Sequence, residues 1–151
     1  MKRPDRALEA VQAALGAEHA AVYAYGVVGS RVGEGPREAE ARTAYAAHRA
    51  RRDALARTVR DLGGTPDAAA PAYALPFPVP DAAAAERLAA VLEDRVAGVY
   101  SDLVRAAEGP LRTEAARALR EAAVRAVRWR GSGVAFPGLA ERTRNRRHRQ
   151  R

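Results

Sequence analysis

An all-α four-helix bundle is the fold class this sequence predicts, on three observations. Apolar residues recur at alternating steps of three and four through four long stretches. Glycine and proline mark the ends of each stretch. Nowhere do β-branched and aromatic residues alternate with period two, so strands are not expected.

The first helix is expected over about residues 5–29, with Asp5 as its N-cap and a stripe of Leu8, Val11, Leu15, Glu18, Val22 and Tyr25, before Gly26, Gly29 and Gly33 loosen the chain. Gly35-Pro36 opens the second, with proline in the first turn and Glu38 and Glu40 near its positive end. Its stripe is Ala41, Tyr45, His48, Arg52, Leu55, Val59 and Leu62, and Gly63-Gly64 ends it. Asp81 starts the third, whose stripe of Leu88, Leu92, Val96, Val99 and Leu103 is the most apolar. Gly109-Pro110 closes it and opens the fourth, where Leu111, Ala115, Leu119, Ala122, Ala126 and Trp129 face inward until Gly131.

Short links between helices one and two, and between three and four, make each pair an antiparallel hairpin. Between helices two and three lies GGTPDAAAPAYALPFPVP, 18 residues with five prolines. Extended at about 3.1 Å per residue, it spans some 55 Å, against about 38 Å for a 25-residue helix. A full-length Pro-rich crossover that leaves helices two and three parallel is the arrangement of ferritin-like bundles.

Composition narrows the chemistry. A chain of 151 residues suits one domain. With no cysteine, disulfides, thiolate zinc sites, iron–sulfur clusters and cysteine nucleophiles are excluded. The N-terminus is amphipathic, and no apolar run approaches the roughly 20 residues that cross a bilayer, so a soluble cytoplasmic protein with no membrane partner is expected. Of the net charge of +8, a surplus of +5 lies in the last eleven residues, ERTRNRRHRQR. Residues 1–139 are therefore read as the bundle and 140–151 as a basic tail, with FPGL before it docking Phe136 and Leu139 as a plug. Arg142, Arg144, Arg146, Arg147, Arg149 and Arg151 would give the tail a salt-sensitive, sequence-independent hold on nucleic acid. Against that stand a general arginine enrichment and the lack of interleaved aromatics.

Four stretches resemble a known family: AEHAAVYAYG on helix one, HRARRDAL on helix two, PAYALPFPV in the crossover and FPGL after helix four. They are similar to the ferritin-like domains of high-GC Gram-positive bacteria. The resemblance runs over about residues 8–139. It implies the fold and, as that family has no settled activity, no mechanism.

A working di-iron bundle needs about six inward ligands at one level: a glutamate from each of two helices and a Glu-x-x-His pair from each of the others. Glu18, His48, Glu93 and Glu121 share the mid-bundle height. Only Glu18 and His48 lie on inner stripes. Glu93 flanks its stripe, and Glu121 lies on a line with Glu114, Arg125 and Arg128 that reads as solvent-facing. Tyr45 stands where helix two would need a carboxylate, and helix four has no histidine. Glu18, His48 and Glu93 are thus enough for at most a single iron or manganese ion, as in a metal-dependent oxidase or ferroxidase.

The alternative, which the residues favour, is a polar core network. In it Glu18 is neutralised by His48 and Arg52 and bonded by a tyrosine from Tyr25, Tyr45 or Tyr100. His19, about 100° round the helix from Glu18, is expected at an edge, and Tyr23 and Trp129 in packing. The serines have no histidine and acid partners, and GVVGSRVGEG lacks the lysine of a phosphate loop. The expected protein is a homodimeric ferritin-like bundle with a degenerate di-metal site, a binding or structural module with no catalytic residues to name.

Overall fold

The computed structural model describes residues 2–131. They form four helices: α1 (Arg3–Arg31), α2 (Pro36–Asp61), α3 (Ala82–Ala106) and α4 (Gly109–Arg130). No strand occurs among the described residues, and no helix is long and apolar enough to cross a membrane. The tail arginines Arg142, Arg144, Arg146, Arg147, Arg149 and Arg151, with the FPGL segment and the boundary at residue 139, lie outside the described residues.

Helix ends follow the glycine and proline punctuation, with α1 as the exception. It begins at Arg3, so Asp5 lies in its first turn rather than capping it, and it runs through Gly26 and Gly29 to Arg31. A glycine inside a helix costs only about 1 kcal/mol, less than the burial of Tyr25 and Val28 around these two returns. The turn comes at Gly33, whose φ of 78° suits glycine. α3 has the one side-chain cap among the four, Asp81 accepting from the Ala84 amide at 2.8 Å.

α1 packs against α2 and α3, and α3 against α4. Facing residues give the directions. Glu18 meets His48 and Tyr100, Tyr25 meets Glu93, and Glu93 meets Arg125. The hairpins α1–α2 and α3–α4 are therefore antiparallel, and so is α1 to α3. The fourth side of the square is different. No Cα of α2 comes within 8 Å of a Cα of α4, although both helices turn alanines (Ala41, Ala44, Ala115, Ala118, Ala122) toward the interior. Large side chains, not close helix packing, span that gap.

Residues 62–81 carry no helix, and their contacts climb α1. Gln12 Nε2 donates to the Thr65 carbonyl at 2.6 Å, and the Tyr23 and Tyr73 rings meet at 5.6 Å. Leu75, Phe77 and Val79 then pack onto the core. Tyr73, Leu75 and Pro76 meet Leu88 and Leu92 of α3 and Tyr23 and Ala24 of α1, so this third layer covers that side of α3, while Glu93 is buried on the side that faces the other helices.

Candidate functional site

Among the described residues, two acidic side chains and one histidine are buried in the core: Glu18 at 1% exposure, and His48 and Glu93 at 0%. Each comes from a different helix, at mid-height. The geometry rests on a repeated spacing. Glu18 and Tyr25 are two turns apart on α1, and Glu93 and Tyr100 are two turns apart on α3. Because the two helices run antiparallel, each tyrosine faces the other helix's glutamate. Tyr25 Oη donates to Glu93 Oε1 at 2.6 Å, and Tyr100 Oη donates to Glu18 Oε1 at 2.5 Å.

His48 reaches between the carboxylates. Its Nδ1 lies 2.5 Å from Glu18 Oε2 and its Nε2 lies 2.8 Å from Glu93 Oε1. A carboxylate only accepts, so an imidazole with one on either side must carry a proton on both nitrogens. Burial disfavours that charge, but the two carboxylates outweigh it and hold His48 up at about 9. The Tyr25 ring stacks on the imidazole, with centroids 5.3 Å apart.

The fourth charge comes from α4. Arg125, 18% exposed, donates Nε to Glu93 Oε1 at 2.8 Å. The layer thus holds two carboxylates, one imidazolium and one guanidinium, and is neutral as a whole. Burial would raise the carboxyl of Glu93, yet His48 and then Arg125 and Tyr25 bring it below the ordinary carboxylate value. The phenols respond in the opposite sense. Burial, followed by the adjoining glutamates, raises Tyr25 and Tyr100 well above an ordinary tyrosine. Trp129 Nε1 donates to Tyr25 Oη at 3.0 Å and closes the network. One atom has no partner: Glu93 Oε1 accepts from three donors, while buried Oε2 accepts from none.

Of the residues read as a polar network, Glu18, His48, Tyr25 and Tyr100 meet in this layer, and Arg52 and Tyr45 do not. Arg52 turns outward and pairs with Asp53 at 2.9 Å, because a long guanidinium stem lets the charge reach water. Its place is taken by Arg125, which the sequence reading put on a solvent-facing line. The signal was available, since Ala122, Arg125 and Trp129 follow the three–four step of an inner stripe. Tyr45 lines a shallow groove with Gly26 and Gly29, under the Arg49 guanidinium at 5.7 Å. His19 donates to the Asp67 carbonyl at 3.0 Å, outside the layer.

Glu18, His48 and Glu93, read also as metal ligands, are the right donor types for iron or manganese. Their arrangement does not fit such an ion. The glutamates engage opposite nitrogens of one ring, so no point is shared by all three, and Arg125 occupies the Glu93 oxygen that would face a cation. Among the described residues, no group of three or more histidine and acidic side chains is set to hold a metal. Glu121, the remaining mid-height glutamate, is exposed and pairs with Arg51 at 2.9 Å.

Comparison with known proteins agrees with a domain-length fold. A family model described as a domain of unknown function, DUF4439, matches residues 10–141. Among solved structures, the chain is similar to a conserved hypothetical protein, rv2844, from Mycobacterium tuberculosis. The two share 34% identity at a TM-score of 0.83, over 90% of this chain and 100% of that one. No curated protein matches.

Proposed function

Starting from the fact that the chain belongs to the family DUF4439, a domain of unknown function, we propose that it is a ferritin-like bundle acting as a binding or structural module, in which a neutral salt-linked layer stands where a di-metal site would be. The observation that carries this reading is the doubly bonded imidazole of His48. With Glu18 on one nitrogen and Glu93 on the other, the charges that metals would otherwise neutralise are neutralised by protein cations. Such a layer adds less to stability than an apolar core of equal volume, and its use is to fix which faces of α1, α2 and α3 meet. The Pro-rich segment over α1 would hold α2 parallel to α3, as a ferritin-like crossover does.

Elemental analysis of protein purified without chelator tests the proposal. Iron and manganese well below one equivalent, with no rise in Tm when either is added, is the expected result. Near-stoichiometric metal that disappears in His48→Ala, with oxygen-dependent turnover by the loaded protein, would instead establish an oxidase using Glu18, His48 and Glu93. The module is proposed to work as a homodimer, the commonest closed assembly, which light scattering checks. Tail contact with nucleic acid is checked by RNA binding of the full chain across a salt series, with Arg144, Arg146, Arg147 and Arg149 replaced by glutamine as the control.

A further inference from the structure

The open side of the bundle contains a cavity of about 290 Å³ between α2 and α4, lined by Thr43 and Ala44 on one helix and by Arg125, Arg128 and Trp129 on the other. We propose that this cavity is a binding site for a small organic monoanion, a carboxylate on a flat apolar body. The inference rests on the reading of the chain as a binding module whose buried layer holds Arg125 against Glu93.

Three features of the cavity point to that chemistry. The first is unused donors. Arg125 uses only Nε inside the layer, and neither of its Nη groups makes a hydrogen bond among the described residues or is buried without a partner. The Nη pair forms a fork able to take a carboxylate bidentately. Arg128, exposed at the rim, has no acidic partner among the described residues. The second is charge. Arg125 is balanced within the layer, and Arg37 is paired to Glu40 at 2.7 Å, so Arg128 leaves the cavity close to one positive charge. That suits a monoanion. A phosphate dianion would be left half-neutralised beside the Glu40 carboxylate, which also lines the cavity.

The third is a rigid apolar wall. The Trp129 indole is fixed by its hydrogen bond to Tyr25, and Arg37 lies 4.8 Å from the ring centroid. Ala44 of α2 and Trp129 of α4 both line the cavity, which gives it an apolar surface suited to a planar group. A volume near the lower end of the range for ligand cavities limits the guest to about the size of one substituted ring.

Trp129 is the only tryptophan in the chain and lines this cavity, so its emission responds to a guest there. Benzoate, benzamide and benzylamine are matched probes for full-length protein, followed by Trp129 fluorescence and calorimetry. A saturable response to benzoate is expected, at least roughly tenfold tighter than to benzamide, with none to benzylamine. Arg128→Gln should weaken benzoate about tenfold, leaving benzamide and Tm unchanged, and Ala39→Phe, at the exposed mouth, should block both. Equal binding of benzoate and benzamide, indifference to Arg128→Gln, or no saturable response to benzoate would overturn the site. None of these outcomes alters the metal content that tests the module reading, so the two proposals fail separately.

Discussion

Glu93 takes three hydrogen bonds, and its two oxygens are used unequally. Tyr25, His48 and Arg125 all donate to Oε1, while Oε2 is buried without a partner. Changing Glu93 to Gln removes the countercharge of an imidazolium and a guanidinium at once, and breaking a buried ion pair costs roughly 3–5 kcal/mol. Urea denaturation of Glu93→Gln should show a loss of that order. Arg125→Ala should also destabilise clearly, whereas Arg52→Ala should stay within about 0.5 kcal/mol, because Arg52 pairs only with exposed Asp53. Equal effects of the two arginine changes would contradict the placement of Arg125 in the layer. Much of the layer was legible at this scale. Glu18 and His48 stand on apolar stripes, and the matched Glu-to-Tyr spacing of α1 and α3 was there to be read as a reciprocal pair. Arg125 follows the inner three–four step of α4 with Ala122 and Trp129, whereas the outward turn of Arg52 was not legible, because a stem of three methylenes lets the guanidinium point away from the side on which its Cα sits.

At the scale of the elements, the local code is strong where backbone chemistry is specific and weak where packing decides. Proline in the first turn of α2 and α4 and glycine beyond the ends of α2 and α4 set their limits as the sequence suggests. The overrun of α1 past Gly26 and Gly29 was hidden, because what sustains that turn is burial against other helices. Glu93 was misplaced for a related reason. One stripe describes a helix covered on one side, and α3 is covered by α1, α4 and Leu75–Val79. Two substitutions test the ends. Asp81→Ala removes the only side-chain cap found among the four helices and should cost about 1 kcal/mol in ΔG of unfolding. Gly64→Ala would set a Cβ 2.8 Å from Leu8 Cδ1 and 3.1 Å from Val59 Cγ1. The Leu8 tip can rotate, but fully buried Val59 cannot yield, so a cost of roughly 1–3 kcal/mol in the same measurement is expected.

For the whole molecule, the buried layer makes stability a function of pH with a sign that can be worked out. The His48 value is raised from 6.5 to about 9 in the folded state. Its stabilising contribution is therefore complete below pH 6.5 and is lost as pH rises through about 9. A displacement of that size corresponds to about 3 kcal/mol. Glu93 acts in the other direction. Its folded value is lowered from 4.5, so its contribution is present above that pH and disappears as pH falls through the folded value. Tyr25 and Tyr100 resist ionisation and so add a further loss once pH exceeds the ordinary tyrosine value of 10.0. The stability curve should form a plateau between about pH 5 and 6.5, then fall through pH 9 before any phenol titrates. Urea denaturation from pH 5 to 10 measures it, and His48→Gln supplies the decisive comparison. The variant will be less stable throughout, but its curve should be flat from pH 6.5 to 9, since the proton that unfolding releases there is gone. A variant that kept the wild-type slope would show that the alkaline loss arises elsewhere and that His48 is not an imidazolium clamped between two carboxylates.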